Sequence, residues 1–89
     1  MEVRQLQIFR MLAEELNFTR TAEKVHTVQS NVTAQIKALE EELGVPLFDR
    51  LGRRVTLTDA GRRFLPFAEQ ALAQRVENQR EDQAANRLK

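Results

Sequence analysis

Between Val3 and Leu16 the apolar residues Leu6, Phe9, Ala13 and Leu16 recur at intervals of three and four, the spacing at which an α-helix turns one face to a core. Asn17-Phe18 interrupts that pattern, and Thr19 stands where a hydroxyl can cap a second helix by accepting from its unpaired N–H groups. The second helix runs to about Val25 with Ala22 and Val25 as a thin apolar edge, and His26-Thr27-Val28 forms the turn that follows. A third helix has the clearest stripe. Val32, Ile36, Leu39 and Leu43 lie at i, i+4, i+7 and i+11, which at about 100° per residue keeps them in one narrow sector that must be buried. By the same arithmetic Ser30, Thr33, Ala34 and Lys37 share the opposite face. Gly44, free to adopt left-handed backbone, ends the helix.

Beyond Val45-Pro46 the pattern changes period. Leu47-Phe48-Asp49-Arg50 and the alternating Val55-Thr56-Leu57 predict two short strands around a turn at Gly52, a small hairpin or wing. Thr58 is placed to cap a last helix extending from Asp59 toward Lys89, with Gly61 and Pro66 weakening its first turns and Pro66 a candidate kink. Phe64, Phe67, Ala68, Ala71, Leu72, Ala73 and Val76 supply its apolar side. Residues 77–83, ENQREDQ, supply none, so the helix is expected to fray there or end as a solvated polar tail. The division that results is a helical and winged unit over residues 1–58 and a linker helix over 59–89.

Eighty-nine residues make one small domain whose buried fraction is modest, so stability is expected to be marginal or supported by association. The absence of cysteine removes disulfides and thiolate metal sites and suits a reducing cytoplasm. The opening MEVRQLQIFR contains charged residues and no uninterrupted apolar run, a pattern of neither a signal peptide nor a membrane span. A formal net charge of +1 understates the local imbalance. Arg50, Arg53, Arg54, Arg62 and Arg63 face the single acid Asp59 between residues 50 and 63, whereas Glu40-Glu41-Glu42 supply opposing charge nearby.

These features converge on one surface. A helix enters the major groove of B-DNA only where its outward side chains are short enough for close approach and polar enough to meet base edges, and Ser30, Thr33 and Ala34 meet the first condition. Gln29 and Asn31 flank them near the helix N-terminus, where carboxamides can pair with adenine, and Lys37 reaches phosphate or guanine one turn on. The wing arginines would lie beside the groove, neutralising phosphates or entering a narrow minor groove. Taken singly, a polar helix face or an Arg-Arg pair is an ordinary solvated surface. Helix, short turn, reading face and basic hairpin in consecutive order instead specify an all-α winged helix-turn-helix, with residues 18–37 as the helix-turn-helix. His26, the one histidine, has no catalytic or ligand partner of its kind and is read as a turn residue. The three glutamates point in different directions on a helix and are read as a solvated helix end that repels DNA, with no metal site assigned. Too little domain remains to cover the last helix, so Phe64, Phe67, Ala68, Ala71, Leu72 and Val76 are assigned to a dimer contact as well as to core.

The residues Phe18-Thr19-Arg20 with Ala22, Gln29-Ser30, Val32-Thr33, Gln35-Ile36, Leu39-Glu40 and Leu43-Gly44 resemble the LysR-type transcriptional regulators. Leu47-Phe48, Arg50, Gly52-Arg53, Leu57-Thr58 and Ala60-Gly61 are similar to that family's wing and linker start, so the likeness covers about residues 3 to 68. It implies a cytoplasmic, nucleoid-associated bacterial regulator that binds partly palindromic promoter DNA as a homodimer through the linker helix, with higher oligomers open to the full-length parent. It also implies a small-molecule inducer bound by a larger C-terminal domain outside this chain, and no cofactor, catalytic residue or membrane association here. The family's DNA contacts carry over to Gln29, Ser30, Asn31, Thr33 and Lys37 on the reading helix and to Arg50, Arg53 and Arg54 on the wing. Three positions depart from it: Val28 replaces a usual capping serine, leaving the third helix uncapped or capped by Thr27; Thr21 replaces a small alanine between helices; Ala34 replaces a frequent arginine. The closing RVENQREDQAANRLK matches no family pattern. The rival reading is a small helical protein-interaction module without specific DNA affinity; an enzyme, with one histidine, no cysteine and no phosphate-binding loop, ranks last.

Overall fold

In the computed structural model the helices are α1 (Val3–Glu15), α2 (Phe18–Lys24), α3 (Gln29–Leu43) and α4 (Asp59–Arg87), with strands β1 (Phe48–Leu51) and β2 (Arg54–Leu57) between the last two. The structure describes the backbone of residues 1–87 and the side chains of residues 1–74. The all-α winged helix-turn-helix expected from the sequence is the observed architecture: a three-helix unit, a two-stranded antiparallel wing and a long following helix. The strands pair in the register Phe48 with Leu57 through Leu51 with Arg54, and Gly52 takes a positive φ of 64° at the turn.

The core explains the register of each helix. Val32, Ile36 and Leu39 are buried as their stripe requires, and Leu43 packs partly buried at its end. On α1 the buried set is Leu6, Ile8, Phe9 and Leu12, a broader face than the sequence pattern selects. Leu16 belongs to none of it. It leaves the helix as a left-handed C-cap with φ 52°, its N–H donating to the Leu12 carbonyl, and its side chain is exposed.

The start of α2 corrects a sequence assignment. Asn17, not Thr19, is the cap, its Oδ1 accepting from Arg20 N at 2.9 Å. Phe18 is therefore the first residue of the helix, and its ring is buried in the core. Gly44 terminates α3 with φ 75° as expected.

Two tethers fix the wing. Glu40 is not simply a solvated acid at the end of α3, because its Oε2 accepts from Leu47 N at 2.6 Å and from Phe48 N at 3.3 Å, satisfying the two amides that lead into β1. On the other side Thr58 caps α4, its hydroxyl accepting from Gly61 N at 3.0 Å and donating to the Pro46 carbonyl at 2.7 Å, while its own N–H donates to the Leu47 carbonyl at 3.1 Å. Gly61 serves packing at this junction: a Cβ there would meet the Leu47 carbonyl oxygen and lie 2.7 Å from Leu57 Cδ2. Phe9 then ties three elements together, its ring 5.5 Å from that of Phe48 and 5.1 Å, edge to face, from that of Phe64.

The backbone of α4 stays helical to Arg87, through the stretch expected to fray and with Pro66 inside it. Glutamate, glutamine, arginine and alanine are good helix formers, so the segment keeps helical backbone after its apolar pattern has ended.

Candidate nucleic-acid interface

The turn between α2 and α3 is built from backbone bonds that leave the start of α3 outward. Thr27 N donates to the Ala22 carbonyl at 2.8 Å, His26 N donates to that of Glu23 at 3.2 Å, and His26 takes the positive φ of 58° that reverses the chain without a glycine. His26 is thus the turn residue the sequence indicates. Thr21, fully buried at the α2 packing surface, donates its hydroxyl to the Asn17 carbonyl at 2.8 Å, which accommodates the polar group where only a small side chain fits.

Gln29, Ser30, Ala34 and Lys37 are exposed on α3, and Asn31 and Thr33 are half-buried beside them. Three side-chain hydrogen bonds already orient polar groups here. Thr19 Oγ1 donates to Gln29 Oε1 at 3.3 Å, leaving the Gln29 amide nitrogen as its free donor. Asn31 Nδ2 donates to Thr27 Oγ1 at 3.1 Å, and its Oδ1 accepts from Gln35 Nε2 at 3.5 Å, so Asn31 stiffens the turn and has fewer groups left for a ligand than Gln29 or Ser30. Because Thr27 is engaged in this way, it does not cap α3. Val28 holds the cap position with extended backbone and no side-chain bond, and the residue is 64% exposed. A missing polar cap costs about 1 kcal/mol of helix stability.

Arg53 and Arg54 stand exposed at the wing tip and form no ion pair among the described residues. Arg50 is held differently. Its guanidinium carbon lies 3.9 Å from the centroid of the Phe18 ring, so the wing leans on the first residue of α2 through a cation–π contact. Arg62, counted in the sequence as part of the basic cluster, is neutralised locally, donating to Asp59 Oδ1 at 2.7 Å and to the Leu57 carbonyl at 3.1 Å. Arg63 lines a shallow depression of about 400 Å³ with Leu43, Val45, Leu47, Ala60, Phe64 and Phe67. The outward positive charge of the wing therefore concentrates on Arg53 and Arg54.

The residues assigned to a dimer contact separate into two groups. Ala68 and Leu72 are buried in the chain's own core, because α4 packs them inward toward α1. Phe64 and Ala71 are half-buried against that core, and Phe67 is 56% exposed. Val76 lies beyond the residues whose side chains are described. Of the two roles the sequence allows them, Ala68 and Leu72 take the core one: both pack the helix to its own domain. Sequence periodicity groups all six residues because it gives their face without giving what covers it.

Phe18, Thr19 and Glu40 are positioning residues that sequence reasoning left out of the site, and no local signal marks them, since each acts on a residue brought near only by folding. Among the described residues no cluster of histidine, cysteine, aspartate or glutamate could hold a metal ion, and no helix is long and apolar enough to cross a membrane.

Residues 3–62 match the family model described as "Bacterial regulatory helix-turn-helix protein, lysR family". The chain is 52% identical over 73 residues to the HTH-type transcriptional regulator YwqM of Bacillus subtilis, covering 82% of this chain and 25% of that protein. It is 49% identical over 78 residues to the Hca operon transcriptional activator HcaR of Escherichia coli, covering 88% of this chain and 26% of the activator. In three dimensions it is similar to the chain in a crystal structure of the CbnR_DBD-DNA complex, with a TM-score of 0.90 at 38% identity over 97% of this chain and 99% of that one. The chain spans about a quarter of the length of the curated relatives it matches.

Proposed function

The chain belongs to the lysR family of bacterial regulatory helix-turn-helix proteins, and from that premise we propose that it binds double-stranded promoter DNA sequence-specifically, with α3 in the major groove and the wing on the flanking phosphates or minor groove. The single observation that carries this reading is that the short side chains at the start of α3 and Arg53 and Arg54 of the wing are all left exposed by a fold that seats the wing on α2 through Arg50 and Phe18. Gln29, Ser30 and Thr33 read base edges, with Asn31 supporting them from the turn. Lys37, Arg53 and Arg54 take phosphates, and Arg50 sets the wing against α2 while lending its charge to the same surface.

Two copies joined through α4 would present two α3 helices to successive major grooves, and Phe67, with the outer edges of Phe64 and Ala71, is the apolar surface available for that contact. Residues 1–58 then form the reading unit and 59–89 the linker. The parent regulator acts in the cytoplasm at the nucleoid, carries no catalytic step, and responds through a further domain to a small molecule. The resemblance of this chain to a transcriptional activator and to a domain solved with DNA supports the DNA-binding reading over that of a protein-interaction module.

Footprinting on genomic fragments at two salt concentrations tests it. Paired protected half-sites on one face of the duplex, weakening steeply with salt, are the expected result. Absence of any protected site favours the interaction module.

A further inference from the structure

We propose that Val28 is a specificity-determining residue that reads the C5-methyl group of a thymine, a contact that rests on the DNA-binding function proposed above. A helix cap is a position where serine, threonine, aspartate or asparagine would bond the first free N–H groups. Val28 forgoes that bond, and Thr27, the neighbouring hydroxyl, is occupied by Asn31 at 3.1 Å. Val28 gains no packing in compensation: the residue is 64% exposed and stands outside the hydrophobic core. An uncapped helix end and an exposed β-branched side chain are both disadvantages for an isolated domain, and both lie directly before Gln29 and Ser30, the outermost polar residues of the reading helix.

Apolar contact in the major groove has one natural target. Thymine alone among the four bases places a methyl group there, and aliphatic side chains recognise it by displacing water from both surfaces. The neighbouring Gln29 amide nitrogen, left as a donor by the Thr19 bond, can meet an acceptor such as the O4 of that thymine or the N7 of an adjoining purine. The pair therefore prefers a step containing thymine, with the methyl on Val28 and the acceptor on Gln29.

The test uses a duplex selected by the chain from a random pool, remade with deoxyuridine in place of each thymine in turn. Removing the contacted methyl should weaken binding about four-fold, as expected for one buried methyl-sized group. Other positions should change little. Val28→Ser, which restores a cap, should bind the thymine and deoxyuridine duplexes equally at that position and unfold at a higher temperature than the parent chain. Val28→Ala, which adds no cap, should lose most of the same discrimination, separating the methyl contact from any effect of capping. A deoxyuridine profile identical in all three proteins overturns the assignment while leaving sequence-specific binding intact. Selection of no preferred duplex overturns both the assignment and the function it rests on.

Discussion

Arg50 and Arg53 are close neighbours on the wing, yet their surroundings ask different things of them. Arg53 is exposed with no ion-pair partner among the described residues. If it holds one phosphate, Arg53→Ala should weaken binding on all sequences and lower the salt slope by about one unit, measurable by fluorescence anisotropy across a salt series. An unchanged slope removes it from the phosphate contacts. Arg50 lies over Phe18, and an exposed contact of this kind is worth about 0.5 to 1 kcal/mol. A double-mutant cycle of Arg50→Ala with Phe18→Leu, followed by urea denaturation, should return a coupling of that size; additive losses would show that the stacking contributes nothing to stability. These roles were unevenly legible. The exposed Ser30, Ala34 and Lys37 follow from helical arithmetic alone, which also groups the half-buried Thr33 with them, whereas the Arg50–Phe18 and Thr19–Gln29 pairs join residues from different elements, and periodicity carries no information about such contacts.

Among the elements, α3 was readable from its stripe because burial of Val32, Ile36 and Leu39 enforces one register. The start of α2 was not, since Asn17 and Thr19 are both competent caps and the local pattern does not rank them. Gly61 shows the same limit. Helix propensity treats it as a weak point, for which alanine should gain up to about 1 kcal/mol. The backbone of Leu47 occupies the space of the missing Cβ, and overpacking of this kind costs about 1 to 3 kcal/mol. Gly61→Ala should therefore lower the thermal midpoint, a result opposite in sign to the propensity expectation. The tie between α1 and α2 is weaker. Lys24 donates to Glu15, and that hydrogen bond, followed by the carboxylate's charge, raises the Lys24 pKa above its ordinary value. Because the folded pKa is the higher one, the contribution is complete below the ordinary lysine range and fades as pH climbs through the raised value. Lys24→Met should remove this alkaline dependence from a stability profile, with only a small effect at neutral pH because the lysine is exposed.

For the whole molecule, the exposed Phe67 is the side chain that best reports association. Phe67→Glu should shift the chain toward monomer in sedimentation velocity and abolish paired half-site protection, while leaving the far-ultraviolet circular dichroism unchanged. Persistence of the dimer would direct attention to the stretch of α4 beyond residue 74. The change from stripe to hairpin to stripe, on which the proposed division between reading unit and linker rests, was visible in the sequence, but the close seating of their junction was not. There Thr58 bonds both Pro46 and Leu47, and Gly61 lets the helix backbone rest against the Leu47 carbonyl. A junction seated so closely has no slack for swivelling. The linker helix is then a spoke set in its hub: a torque applied at its far end would reach the wing and the reading helix as rotation, and in the proposed dimer any change in the distance between two bound half-sites would have to be absorbed by the DNA or at the contact between the two spokes.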